Sequence, residues 1–237
     1  MLKGLDLSGY QHASPSLGGM SFVWAKATEG TSFVDPMYPV HTAAALRAGI
    51  VHGAYHFGHA GVDPVAQARF LVSHAPHAQL YALDSEGSTR MTRAEVGAFF
   101  ATIKVARPGV KLGLYESLSG YDQHAGQDFN WVATWGSTPP SVPWTFWQYT
   151  SSGAAPGYSG RLDLDHFNGD LAALRRLAGI APTAPTPVFV RVRPGDSLWA
   201  IATRNHTTLA HLLAFPENAR FRRRPNLVFP GERVRVK

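Results

Sequence analysis

Eight short stretches with strand character punctuate the first part of this chain, at 2–8, 22–28, 50–57, 80–86, 111–117, 131–136, 145–150 and 162–167. Helical patterns separate several of them. The stretch 41–49 closes on Gly49, and 63–75 opens with Asp63 as a cap and Pro64 at the first helical position. Thr92 and Glu95 stand at capping-box spacing at the start of 92–106, and a further helix is expected at 169–179. Strands alternating with helices bury both faces of a sheet. The pattern predicts an α/β fold, an irregular β/α barrel that is TIM-like but has fewer helices than strands. Between 118 and 161 the gaps are too short or too rich in Pro and Gly for full helices, so the later strands are expected to pair antiparallel. An open doubly wound sheet is the competing architecture. A Gly-rich phosphate-binding fingerprint is missing, so no nucleotide is implied.

The chain has 237 residues, 45% of them hydrophobic, enough for one sizeable core and a small second unit. Cysteine is absent, which excludes disulfides and thiolate metal sites and suits synthesis in a reducing compartment. No apolar run reaches membrane-spanning length. The start, MLKGLDLSGYQ, enters a strand pattern without the features of a secretory signal, so synthesis in the cytoplasm without a signal peptide is expected. Charge is unevenly spread: 188–237 holds ten Lys/Arg against three Asp/Glu, while 1–187 holds twelve against thirteen. A basic end implies a polyanionic partner. The Pro/Ala/Thr run GIAPTAPTPV at 179–188 favours an extended spacer. The expected organisation is therefore a main domain at 1–179, a linker at 180–188 and a second module at 189–237.

The strand LYALD runs into two acids, Asp84 and Glu86, with only Ser85 between them. Residues two apart on a strand share a face, so these carboxylates point the same way, roughly 6–7 Å apart. Other expected strands also end in functional groups: Asp6 on the first, Lys26 and Glu29 on the second, Tyr55 and His56 on the third. Tyr115, Trp135, Gln148, Tyr149 and Asp163 follow on later ones. A β/α barrel gathers such ends around one mouth. Clustered carboxylates keep one another protonated, and aromatic faces suit sugar rings, which together point to glycoside hydrolysis. A hard divalent cation is an alternative occupant of such oxygens, but calcium-loop spacing is missing.

Four stretches, GLDLSGYQ (4–11), FVWAKATEGTSFVDP (22–36), AGIVHGAYHF with DSEG (48–57, 84–87) and WQYTSSGAAPGYSGRLDLDHFNGD (147–170), resemble the glycoside hydrolase family 25 lysozymes. The resemblance implies cleavage of the β-1,4 bond between N-acetylmuramic acid and N-acetylglucosamine, with no cofactor and no metal. It also implies Glu86 as general acid, Asp84 as its partner, and Asp6 and Asp163 as further catalytic acids. Tyr55, Tyr115, Trp135, Trp147 and Tyr149 would line the sugar groove, while Trp24 is expected to pack in the core and His56 to be structural. The substrate's acetamido oxygen, oriented by Asp84, or a carboxylate would serve as nucleophile. Two positions depart from the family pattern: Ser85, where an aliphatic residue is usual, and Asp165, where Asn is frequent. Ser85 is expected to face away from the mouth, and Asp165 shares a face with Asp163 and is expected to raise its pKa.

The stretches at 190–215 and 225–237 resemble a LysM module, which implies a βααβ fold that binds N-acetylglucosamine-containing glycans. Its groove would lie between Gly195, Asp196, Ser197 and Leu198 on one loop and Asn226, Leu227 and Pro230 on another. Arg220, Arg222, Arg223 and Arg224 form an unusually basic insert, read either as an attraction to anionic wall polymers or as a solvated loop. Arginines beside Phe221 also raise nucleic-acid binding as a rival, but no recognised nucleic-acid motif is present and none is expected. The expected partner is peptidoglycan, reached after release from the bacterium that makes the protein, as for a bacteriophage endolysin. A catalytically inert wall-binding protein is the alternative from another class, and a chitinase-like enzyme is a third reading that lacks the longer acidic motif.

Overall fold

A computed structural model of the protein describes residues 1–121, 126–181 and 187–237. The chain divides into two compact units, 1–182 and 183–237. Most of the linker expected at 180–188 falls on residues 182–186, outside the described ones. Among the described residues no helix is long and apolar enough to cross a membrane.

The first unit is a closed barrel. In chain order its elements are β1 (Leu2–Leu7), β2 (Phe22–Glu29), β3 (Phe33–Val34), α1 (Tyr38–Ala48), β4 (Val51–Phe57), α2 (Pro64–His74) and β5 (Leu80–Asp84). Then come α3 (Arg93–Ala106), β6 (Lys111–Ser117), β7 (Phe129–Ala133), β8 (Phe146–Gly153), β9 (Leu162–Phe167) and α4 (Leu171–Leu177). The strand order is β1-β9-β8-β7-β6-β5-β4-β2, closed by a β1–β2 pairing, with β3 a short hairpin arm on β2. Helix ends form where the sequence placed them. Asp63 accepts from the Val65 amide, Thr92 and Glu95 complete a capping box, and Gly49 ends α1 at φ 67°.

One expectation needs correction. Strands β7 and β8 do not pair antiparallel with each other: β6–β7 and β7–β8 are parallel, and of the eight barrel strands β9 is the one that runs against its neighbours. The reason is reach. A parallel return needs a crossover of about a dozen residues but no helix, and the segments 118–128 and 134–145 supply that length. The connection 154–161 is shorter and turns back as a hairpin.

The barrel interior is packed with aromatics. Phe22, Trp24, Phe129, Trp131, Phe146 and Phe167 all lie in one buried cluster. Trp24 stacks on Trp131 at 5.0 Å, the packing role expected of it. Glycines make room for these rings: a Cβ on Gly53 would come within 2.1 Å of Trp24, and one on Gly113 within 1.9 Å of Phe129. The alternate side chains face outward, where Tyr81, Leu83, Leu112 and Leu114 pack under α2 and α3. His56 also points outward. It is buried, bonded to Thr28 Oγ1 and Gln67 Oε1, and burial drives its pKa down to about 4, which fits a structural histidine.

The second unit comprises β10 (Phe189–Arg191), α5 (Leu198–Arg204), α6 (Leu209–Ala214), a 3₁₀ segment (Pro216–Arg223) and β11 (Arg233–Arg235). Strands β10 and β11 pair antiparallel. The small core holds Val192, Leu198, Ile201, Leu212, Phe221 and Val234.

Candidate active site

Inward-facing positions at the C-terminal ends of the parallel strands converge on one cavity of about 370 Å³. Asp6, Asp84, Glu86 and Asp163 all line it, with Tyr55, Tyr115, Trp131 and Gln148. Asp84 is the last residue of β5. Glu86 lies beyond the strand end, yet its backbone stays extended at φ −142°, ψ 173°, so the alternation continues and both carboxyls face inward. Ser85 between them is buried on the opposite side, where its Oγ accepts from the Met91 amide at 3.0 Å.

Burial sets the electrostatics. The Asp84 carboxyl is held well above its ordinary value, first by burial and then by Glu86, with Lys26 pulling the other way. Glu86 is half-buried and is also raised, by burial and by Asp163. Asp6 stands well above the ordinary range through burial and the charges of Asp165 and Asp163, although Gln148 Nε2 donates to its Oδ2 at 2.9 Å. Asp163 is raised by burial against a lowering hydrogen bond with Asp6. A site of this kind holds protonated and ionised carboxyls side by side, which general acid chemistry needs.

Polar groups around the acids are ordered. Tyr115 Oη donates to Gln148 Oε1 at 3.0 Å, and Trp135 Nε1 donates to the same oxygen at 3.3 Å. Trp135 is 68% exposed, beyond the end of β7, and its ring stands in solvent. Two carboxyl oxygens break the pattern: Asp84 Oδ1 and Asp165 Oδ2 are buried and have no hydrogen-bond partner among the described residues.

Trp147 and Tyr149, expected in the groove, are not there. On β8 Gln148 faces the cavity, so its two neighbours face out. Trp147 is buried with its indole on the Thr134 carbonyl at 2.7 Å, and Tyr149 stacks on His166 at 4.4 Å. Residues absent from the expected site take their place: Ser8 and Tyr10 from the loop after β1, and Lys26 and Glu29 from β2. Asp35 fixes that loop by accepting from the Gly9 amide at 2.7 Å. Lys26 and His59 both bond Glu29, at 2.6 and 3.0 Å. These bonds outweigh burial and lower the Glu29 pKa. Lys26 and Glu29 were visible at a strand end in the sequence; the Tyr10 loop carried no periodic signal.

In the second unit the two expected loops leave β10 and β11 at the same end, joined by the Gly231 amide bond to the Val192 carbonyl at 2.8 Å. Gly195 and Asn226 are exposed, as are Leu227 and Pro230. Leu198 is a correction, because its side chain is 1% exposed and belongs to the core. Ser197 caps α5 through the Ala200 amide, and Asp196 pairs with Arg204 at 2.9 Å. Exposed Trp199 and Phe229, at 66% and 53%, were missed. Phe221 is buried, so it offers no face to a nucleic acid. Arg222 bonds the Leu213 and Ala214 carbonyls at the end of α6, Arg224 pairs with Glu232, and Arg223 is exposed.

Comparison with known proteins places these features. Residues 5–158 match the model of glycosyl hydrolases family 25, and residues 190–215 match that of the LysM domain. Lysozyme M1 of Streptomyces globisporus is 34% identical over 215 residues, covering 75% of this chain and 71% of that protein. The bacterial lysozyme from Streptomyces coelicolor superposes with a TM-score of 0.66 at 31% identity, covering 76% of this chain and 98% of the other. The catalytic domain of endolysin ply40, from a bacteriophage of Listeria monocytogenes, gives 0.66 at 28% identity with the same coverage.

Proposed function

The chain belongs to glycosyl hydrolase family 25 and is a glycoside hydrolase of the lysozyme type, and on that premise we propose that it cleaves the β-1,4 bond from N-acetylmuramic acid to N-acetylglucosamine in peptidoglycan. The supporting observation is the convergence of Asp84 and the half-buried Glu86, both carboxyls raised chiefly by burial, on one cavity with Asp6 and Asp163. As a cavity-lining group, the Asp84 carboxyl can accept from the acetamido N–H of the sugar.

Held by Asp84, the acetamido oxygen attacks C1 of the muramic acid residue. Glu86 gives its proton to the departing glycosidic oxygen as that bond breaks. The Glu86 carboxylate then takes a proton from water, which opens the cyclic intermediate and restores the acid. Asp6 and Asp163 supply negative charge near the developing oxocarbenium ion, and Tyr55, Tyr115 and Trp135 border the sugar path. Glu86→Gln is expected to abolish clearing of a wall suspension while the circular dichroism spectrum stays unchanged. A folded variant with near-normal activity would remove Glu86 from this role.

The second unit is proposed to hold the enzyme on N-acetylglucosamine-containing strands through the two loops, raising the local concentration of bonds to cut. The exposed Arg223 favours an added pull toward anionic wall polymers. The likeness to the ply40 catalytic domain and the cysteine-free composition support an endolysin role, with synthesis in the bacterial cytoplasm and action on the wall after release. In a bacterium expressing the protein, lysis should then require permeabilisation of the inner membrane. Lysis without it would contradict the release step.

A further inference from the structure

Strands β10 and β11 pair with Arg191 directly opposite Arg233 and Phe189 opposite Arg235. Val190 and Val234, in the row between, pack into the small core. Alternation therefore puts Phe189, Arg191, Arg233 and Arg235 on the outer face of the sheet. Arg191 and Arg233 are exposed. Cross-strand partners stand roughly 5 Å apart at Cβ, and like charges so placed destabilise a sheet. An acid beside them would relieve this, but the three acids of this unit are engaged elsewhere. Asp196 pairs with Arg204, Glu217 with Arg235, and Glu232 with Arg224 and, at 3.9 Å, Arg220. Among the described residues neither Arg191 nor Arg233 forms an ion pair. Arg191 instead donates to the Gly231 carbonyl at 3.3 Å, and the Arg233 guanidinium sits 4.5 Å from the centre of the Phe189 ring. The two side chains lean opposite ways along the strands, because Gly231 lies to one side of the Arg191–Arg233 row and Phe189 to the other. The sheet keeps a charge repulsion that its own residues leave uncompensated.

A chain of phosphodiesters complements this face. Each repeat carries one negative charge and oxygens that accept from the guanidinium fork, and a polymer can meet both arginines at once. We propose that the outer face of β10 and β11 binds a linear polyphosphodiester of the bacterial wall, with Arg191 and Arg233 each holding a phosphate. A single-stranded nucleic acid has a similar backbone but relies on aromatic rings to stack its bases. The ring on this face, Phe189, already carries the Arg233 guanidinium. The placement on the wall rests on the wall-binding reading of this unit; the phosphate contact does not.

The full-length protein is titrated with soluble poly(glycerol phosphate), and its retention is measured on walls freed of phosphate polymers by hydrofluoric acid. Arg191→Gln combined with Arg233→Gln should weaken binding of the polymer about tenfold or more, the scale of lost hydrogen bonds to a charged group. Retention on the phosphate-free walls and hydrolysis of soluble glycan fragments should stay the same. The melting temperature should hold or rise as the repulsion is relieved. Arg193→Gln combined with Arg223→Gln removes the same charge from other positions and should weaken polymer binding less. Equal losses in the two double variants, or no loss in the sheet variant, overturn the site. Absence of wild-type binding to poly(glycerol phosphate) at about 0.15 M salt overturns it without any variant. Equally tight wild-type binding to a deoxythymidine oligomer of matched charge overturns the wall polymer as the partner. Failure of the wild type to stay on phosphate-free walls refutes the glycan-binding reading instead, and the polymer titration still decides the phosphate site.

Discussion

The same residue types behave in opposite ways in the two units. In the barrel, the cavity-lining Asp6, Asp84, Glu86 and Asp163 and the fully buried Asp165 are all pushed up. In the second unit Asp196, Glu217 and Glu232 are pulled down, Asp196 and Glu232 chiefly by arginine partners and Glu217 by a backbone bond and Arg235. Each of the three has its cation in the structure: Arg204 at 2.9 Å, Arg235 at 2.8 Å, and Arg224. The first arrangement stores protons and leaves acceptors open. The second pairs each of these carboxylates with an arginine and helps hold a small fold together. Chemistry is expected where the charges are costly, and scaffold where they are settled.

The contrast breaks first at Glu86. Glu86→Gln should lower the release of reducing ends about 10³-fold, within the range of a lost general acid, and leave the melting temperature in place. Asp84→Asn should cost about 10²-fold, the scale of one lost transition-state hydrogen bond. An activity loss larger than that of Glu86→Gln would reverse the two roles. In the second unit the sensitive residue is a core ring: Phe221→Ala should destabilise that unit by about 3–5 kcal/mol. Retention on wall sediment should fall, while cleavage of soluble glycan fragments stays the same. A drop in both would mean that the units do not act separately.

The pH dependence sharpens the comparison. The Asp165 pKa rises from 3.8 to about 7 on folding. The folded state therefore holds more protons than the unfolded state between those values, and unfolding free energy falls as pH rises. This contribution is complete below about pH 4 and lost by about pH 7. The lowered carboxyls of the second unit have the opposite sign, contributing above their ordinary pKa and losing that as pH falls. Hydrogen exchange at pH 4 and pH 7 should show the barrel strands β1 and β9 more protected at the lower pH, and β10 and β11 slightly less. Asp165→Asn should flatten the barrel's trend. The smallest effect is expected from Asp196→Asn, which breaks an exposed ion pair and should barely move the melting temperature.

Much of this architecture could be read from residue order, for identifiable reasons. Cap chemistry at Asp63 and Thr92 is local, so helix starts were legible. Period-two alternation placed Asp84 and Glu86 on one face, and it holds even beyond the end of β5. The same rule, applied to β8, assigns Gln148 to the cavity and turns Trp147 and Tyr149 away. The family resemblance places those two in the groove, but parity decides. Strand direction was less legible, because the described residues of 118–128 and 134–145 form no α-helix, and length rather than helical pattern made β7 and β8 parallel. The pairing of Asp6 with Asp163 spans almost the whole barrel unit in sequence and arises only when β9 closes onto β1. No local signal could mark it.

The most direct test of the whole account is the identity of the sugar left at the cut. Purified peptidoglycan is digested, the new ends are reduced with borohydride, and the fragments are identified by mass spectrometry. The account predicts fragments ending in reduced N-acetylmuramic acid, formed by the wild type and not by Glu86→Gln. Fragments ending in reduced N-acetylglucosamine, or no new ends at all, would contradict it.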